Sequence, residues 1–299
     1  MNAQILVDGV TSGAMIALGA IGVTLTYGLL RFANFAHGEF ATWGAYAAMV
    51  IAAALGGAGQ TFGDLTFGWP LVAALLGAVA LTALLAVALD WVLFRRLRRQ
   101  GNAIVLVIAS FGASLALRSA LEFGFGPQPY YYTRDIAMAV RLGFGMRATW
   151  DQMLVLAAAL TLMAAMTAML RYSALGRALR ATSENPDLAR LAGIDVARVV
   201  RVTWLLGGGM AAAAGVFLGI TVQLRPTMGF ELLLPLFAAA ILGGIGSVPG
   251  AMAGGLVIGI AEAASVPIAG AQYRAAVAFV VMLAMLLARP RGLFGARDA

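Results

Sequence analysis

The chain has 299 residues, 62% of them hydrophobic and 11% charged, with a formal net charge of +7. Soluble domains carry roughly 25% charged residues, so the composition excludes an ordinary soluble globule and indicates a protein built for a membrane. All 20 basic residues are arginine, there is one histidine and there is no cysteine. A P-loop lysine, Schiff-base chemistry, disulfides and a multi-histidine metal centre are thereby excluded from this chain.

The apolar runs are continuous rather than alternating, so they read as helices and not as barrel strands. Spans are predicted near residues 5–30, 40–56, 69–94, 103–123, 150–170, 199–222 and 272–288, with a broken apolar stretch at 232–266. The start of the chain has neither a basic n-region nor a small-residue cleavage site, so no removable signal peptide is expected. The expected fold class is all-α: a polytopic transmembrane helical bundle of about eight to ten membrane segments, with discontinuous or re-entrant helices. One transmembrane domain is expected over residues 1–299, with a polar loop at 172–200 and no soluble domain.

The arginines fall between the spans. One cluster holds Arg95, Arg96, Arg98 and Arg99; a second holds Arg171, Arg177, Arg180, Arg190, Arg198 and Arg201; a third holds Arg289, Arg291 and Arg297. Placing all three in the cytoplasm satisfies the positive-inside rule, and the basic charge is then a topology signal rather than a nucleic-acid footprint. The 57–68, 124–149 and 223–231 connections then face outward. The N-terminus lies outside and the C-terminus inside, provided 232–266 crosses twice or re-enters. The 95–99 cluster reads most simply as a topology anchor, with a lipid- or partner-specific site as the alternative. Pro290 is expected to stop the last helix, with the arginines around it holding its cytoplasmic end.

Two breaks interrupt the apolar sequence. In the first, Arg31–Glu39, the residues Asn34, His37 and Glu39 lie together where the first two spans meet. Ionisable groups in membrane segments usually face a protein interior or a wet cavity. The segment therefore reads either as part of a translocation path or discontinuous helix, or as an interfacial loop with His37 among headgroups. The second break holds Gly243, Gly244, Gly246, Ser247, Pro249 and Gly250. Glycine costs about 1 kcal/mol and proline about 3 kcal/mol inside a helix, so a true interruption is expected there. Gly254, Gly255 and Gly259 suit close helix packing. A hydrolase pairing of Ser247 with His37 has no support in the residues around the serine. Glu262 is expected to pair with Arg274 at the outer surface.

The 172–200 loop is expected to carry a two-turn helix. Asn185 is a good N-cap, Pro186 suits the first helical position, Asp187 complements the helix start, and Gly193 can take the left-handed position after the end. Leu188, Leu191 and Ala192 would share one face. A capped amphipathic helix on the wet side of a membrane protein reads as a docking element for another protein.

These pieces together resemble one family. The segment 34–40, NFAHGEF, followed by Gly44, Ala45 and Tyr46, is similar to the signature after the first span of the branched-chain amino acid permeases of ABC importers. The loop at 171–195 is similar to their cytoplasmic loop, with Gly176, Arg177, Arg180, Ala181, Ala189, Gly193 and Ile194 in order. The stretches 241–263 and 289–295 resemble their late signature and their ending, and the likeness is nearest to the shorter, H-type subunit. The resemblance implies a permease subunit in a bacterial-type inner membrane with a cytoplasmic C-terminus, and no enzyme. Its implied partners are a homologous M-type permease, two ATPase subunits that carry the ATP and magnesium, a periplasmic solute-binding protein and membrane lipid, but no nucleic acid. No cofactor or metal belongs to this chain. The coupling loop would consist of Gly176, Arg177, Arg180, Ala181, Asn185, Pro186, Leu188, Ala189, Arg190 and Gly193. The path or its helix breaks would involve Asn34, His37, Glu39, Gly243, Gly244, Gly246, Ser247 and Pro249. The rival reading is an ion-coupled secondary transporter, for which His37 and Glu39 are the available ionisable cluster.

Overall fold

The computed structural model describes residues 3–57, 61–98, 101–133, 137–143, 145–289 and 292–294. Arg99, Pro290, Arg291, Gly295 and Arg297, and parts of the 57–68 and 124–149 loops, lie outside the described residues.

The helices follow in order: α1 (Ala3–Leu30), α2 (His37–Ala54), α3 (Trp69–Leu89), a π turn (Asp90–Phe94), α4 (Arg95–Leu97) and α5 (Ala103–Phe125). After a hairpin of β1 (Ala139–Gly143) and β2 (Met146–Thr149) come α6 (Trp150–Tyr172), α7 (Ala174–Glu184), α8 (Pro186–Leu191), α9 (Val196–Thr221), α10 (Met228–Gly243), α11 (Val248–Ala269) and α12 (Arg274–Ala288). Among the described residues, seven helices are long and apolar enough to cross a membrane. The 18-residue α2, which carries His37 and Glu39, and the shorter, 16-residue α10 pack among them. The protein is a polytopic helical bundle with a small antiparallel hairpin, tied together by Ala139 opposite Thr149 and Val140 opposite Ala148.

Helices α1 and α9 are the buried axis, whereas α12 and α5 lie at the edge. Small residues set this arrangement, because lipid supplies no hydrophobic drive between spans and close backbone packing must replace it. At Gly255 of α11, a methyl group would lie 2.5 Å from the Ala17 Cα of α1. At Gly44 of α2, one would lie 2.5 Å from the Ala212 Cα of α9. Between these contacts Leu18, Ile21, Met163 and Phe217 close the core. Phe40, Phe94 and Trp204 fill a second layer, with Phe94 stacked on Trp204 at 5.3 Å.

The two ends of the bundle differ. At one end Gln4 bonds the Arg147 carbonyl at 3.0 Å, and Thr66 bonds Asp151 through its hydroxyl at 2.8 Å. At the other end lie Arg31, α4, α7, α8, the Gly243–Gly250 turn and the Gly292–Phe294 segment. Helix α1 thus starts opposite the arginine-bearing loop. Arg274 lies near enough to Glu262 to act on it through its charge, but no ion pair within 4.0 Å joins them among the described residues. Gly270 ends α11 with φ +96°, and a 3-10 turn at Ala271–Tyr273 intervenes, so Arg274 opens a new helix instead of continuing the old one.

Candidate functional site

The polar loop folds as two helices where the sequence pattern shows one. Ser173 caps α7 by accepting the Gly176 amide at 3.0 Å. Leu179 and Thr182 bury the inner face of α7. Gly176 is required, because a methyl there would strike the Leu170 carbonyl. Asn185 then ends one helix and starts the next. Its amide bonds the Ala181 carbonyl at 3.1 Å, and its side-chain oxygen accepts from Asp187 at 3.0 Å and Leu188 at 3.1 Å. Pro186 occupies the first position of α8. Gly193 has φ +82°, its amide bonds Arg190, and the Ile194 amide returns to the Ala189 carbonyl at 3.0 Å. This is the left-handed closure that glycine permits. The helix is six residues long, shorter than two turns.

Ala189 faces inward, whereas Leu188 and Leu191 are 62% and 85% exposed. The arginines divide their work. Arg190 pairs with Asp187 at 2.5 Å. Arg180 donates to the Leu170 carbonyl at 2.5 Å and Arg177 to the Tyr172 carbonyl at 3.4 Å, so both satisfy the free end of α6.

The first break is enclosed by protein. Arg31 takes φ +54° to end α1, and its guanidinium donates to the carbonyls of Ser183 at 3.1 Å and Glu184 at 3.4 Å. The Asn34 side chain accepts the Ala36 amide at 3.1 Å, which turns the chain into α2. His37 is fully buried; its Nε2 donates to the Gly19 carbonyl of α1 at 3.2 Å. The headgroup position is therefore not the one it takes. The ring fits because Gly22 leaves room: a methyl there would lie 2.6 Å from His37 Cε1.

Glu39 is also fully buried. It accepts from Ser114 at 3.0 Å and from Arg118 at 3.2 Å, both on α5. The Arg118 guanidinium lies 4.4 Å over the Phe230 ring of α10. The first turns of α2 and α10 meet here, with Gly38 packed directly on Gly229. Two helix N-termini and a buried ion pair thus converge within the bundle, an arrangement found around solute sites formed by discontinuous helices. Arg118 and Ser114 were missed by sequence reasoning. The available signal was a lone arginine inside the predicted 103–123 span.

The second break is a tight turn between α10 and α11. Gly244 and Gly246 have φ +99° and +93°, and Ser247 caps α11 by accepting the Gly250 amide at 3.1 Å. Val248 and Pro249 open α11. Gly243 abuts Gly250 so closely that a methyl on either would strike the other's carbonyl. The Leu293 and Phe294 amides donate to the Leu242 and Gly243 carbonyls at 2.8 and 3.0 Å, so the chain's end satisfies the end of α10. Ser247 and His37 occupy different parts of the bundle. A cavity of about 550 Å³ joins the three polar segments; Tyr27, Arg31, Gly176, Arg180, Gly246 and Ser247 line it. Among the described residues no cluster of His, Asp and Glu could hold a metal.

Residues 5–286 match the family described as "Branched-chain amino acid transport system / permease component". The chain belongs to this permease family. A high-affinity branched-chain amino acid transport system permease protein, LivH of Escherichia coli (strain K12), is 37% identical over 298 residues, 98% of this chain and 95% of that protein. BraD of Pseudomonas aeruginosa, described in the same words, is 34% identical over 297 residues, again 98% of this chain and 95% of the relative. A probable branched-chain amino acid transport permease protein of Methanocaldococcus jannaschii is 28% identical over 302 residues, 98% and 92% of the two chains. The permease is therefore a multi-pass membrane protein with a transport role, and the likeness runs through both breaks and the loop between α6 and α9.

Proposed function

We propose that this permease is the membrane-spanning H-type subunit of an ATP-driven importer of branched-chain or related amino acids. An M-type permease, two ATPase subunits and a periplasmic solute-binding protein would complete the assembly. ATP and magnesium belong to the ATPases. The observation that carries the reading is α8: a short helix, capped at both ends, that holds Leu188 and Leu191 out into solvent. Apolar side chains pinned in water on a rigid element are suited to docking.

The assembly sits in the inner membrane with α8 and the C-terminus in the cytoplasm. Support comes from the arginines at that end and from Leu293 and Phe294, which pack on the same end as Arg31 and Arg180. Movement of a docked ATPase would displace α8 and α7 together, because Asn185 belongs to both. Arg31 would carry the displacement to the end of α1 and so to the first break. The shared cavity leaves room for the Gly243–Gly250 turn to follow. Asn34, His37 and Glu39, with Arg118, would form the region whose access alternates. Here His37 holds α2 on α1, while Glu39 and Arg118 present charge where the α2 and α10 N-termini meet.

The test is uptake and ATPase activity in the reconstituted assembly. Gly193→Pro and Ala189→Arg distort α8 or its seat while leaving the spans intact. Both are expected to abolish uptake with the protein still in the membrane, and with ATP hydrolysis no longer tied to transport. Normal uptake by both would overturn the docking role.

A further inference from the structure

A cavity of about 620 Å³ opens between the π turn, α4 and the segment that joins α8 to α9. Arg95, Arg98, Arg190 and Arg201 line it, against two acids, Asp90 and Asp195. Both acids are already engaged. Asp90 pairs with Arg98 at 2.6 Å, and Asp195 accepts the Arg198 amide at 2.9 Å as the α9 cap. Arg190 is held by Asp187 at 2.5 Å. Arg95 and Arg201 are exposed and have no ion pair among the described residues. The cavity therefore holds two guanidinium groups outside any ion pair and a net positive charge, although Asp195 keeps its own charge at the α9 cap.

Its other wall is apolar. Trp91 lines the cavity and is 61% exposed. Leu84 and Ala88 continue the same outward face of α3 into its membrane-crossing part. An exposed tryptophan beside arginines at the end of a span marks the membrane–water boundary. Guanidinium groups bind phosphate oxygens strongly, often in pairs of hydrogen bonds. Basic pockets at that depth are suited to acidic headgroups.

We propose that this cavity binds an anionic phospholipid. The headgroup phosphate lies between Arg95 and Arg201, and the acyl chains follow Trp91 and Leu84 along α3. Since Arg190 and Gly193 line the same cavity, the bound lipid rests against the end of α8 and supports its position. The apolar wall favours lipid over an acidic protein surface, which would leave Trp91 and the α3 face unmatched. The site does not depend on which solute is carried.

The test uses the full-length chain in nanodiscs containing either brominated phosphatidylglycerol or brominated phosphatidylcholine at equal mole fraction. Tryptophan fluorescence of the wild type minus that of Trp91→Phe isolates the Trp91 signal. Phosphatidylglycerol is expected to quench it about twofold more than phosphatidylcholine does. Arg95→Gln combined with Arg201→Gln should equalise the two lipids. Arg96→Gln, an exposed residue outside the cavity, should behave as the wild type and controls for folding. Equal quenching in the wild type overturns the proposal. Loss of the preference in millimolar inorganic phosphate would assign the arginines to a free anion instead. Loss of it on assembly with the partner subunits would assign them to protein. Either result also overturns the lipid site.

Discussion

The Arg31 guanidinium donates to the Ser183 carbonyl at 3.1 Å across 152 residues of chain, and so fastens the end of α1 to the end of α7. The contact joins the first helix break to the loop that carries α8. A charge-assisted hydrogen bond of this kind contributes about 1.5–3 kcal/mol.

Removing that link should separate hydrolysis from transport. Arg31→Gly keeps the left-handed backbone accessible and deletes only the side chain. Uptake is expected to fall roughly tenfold, the equivalent of about 1.4 kcal/mol, while glycine's relief of the positive φ at residue 31 offsets part of the lost hydrogen bond in thermal stability. Arg31→Ala keeps a Cβ at the same positive φ as arginine and should lower the melting temperature through the lost hydrogen bond. The comparison is made by uptake in proteoliposomes and thermal unfolding in detergent. Unchanged uptake in Arg31→Gly would remove Arg31 from the transmission route.

The Glu39–Arg118 pair is predicted to behave as a buried ion pair. Arg118→Leu leaves the Glu39 charge buried without its cation, bonded by the Ser114 hydroxyl, and should cost about 3–5 kcal/mol of stability. Glu39→Gln combined with Arg118→Leu should recover most of that loss, because no unpaired charge remains. Thermal unfolding of the two single variants and the double variant measures the coupling. Simple additivity would show that the charges do not depend on each other. If the pair also serves the solute path, the stable double variant should still fail in uptake.

Much of the loop was legible in sequence because its rules are local. Asn185, Pro186 and Gly193 act within a few residues of themselves, and each takes the role its chemistry suggests. The Gly243–Gly250 interruption was legible for the same reason: clustered glycines and a proline disfavour a helix interior whatever surrounds them. Helix α7 was not read, although Ser173 and the spacing of Gly176, Leu179 and Thr182 carry its signal. The Glu39–Arg118 pair was hidden because its members lie 79 residues apart and only the packing of α2 on α5 brings them together. The Leu293 and Phe294 strap was hidden likewise, since its acceptors belong to α10. Glu262 and Arg274 interact through their charges but form no close ion pair, with the positive-φ Gly270 and a 3-10 turn separating their helices.

Close packing of α1 on α11 should be intolerant of size. Gly255→Val places branched carbon against the backbone at Ala17 and is expected to cost about 1–3 kcal/mol, with a lowered melting temperature in detergent. Gly112→Ala on α5, where nothing lies within 4 Å, should be neutral or slightly stabilising. Equal stability of the two variants would contradict the α1–α11 contact.

The cap of α8 should be measurable by itself. Asn185→Ala loses the acceptor for two amides and is expected to cost about 1 kcal/mol of helix stability. Asn185→Asp retains an acceptor and should retain most of the uptake. Hydrogen exchange at Asp187 and Leu188 would report the loss, as faster exchange in the alanine variant alone.

Contact between α8 and an ATPase can be measured directly, because the chain has no cysteine. Leu191→Cys places a single thiol on the exposed tip, where a photoactivatable maleimide can be attached. After irradiation of native membranes, mass spectrometry should identify an ATPase subunit joined at residue 191, and no ATPase joined to Leu6→Cys at the opposite end. Capture of no ATPase at residue 191, in membranes that support uptake, would show that α8 is not the docking element.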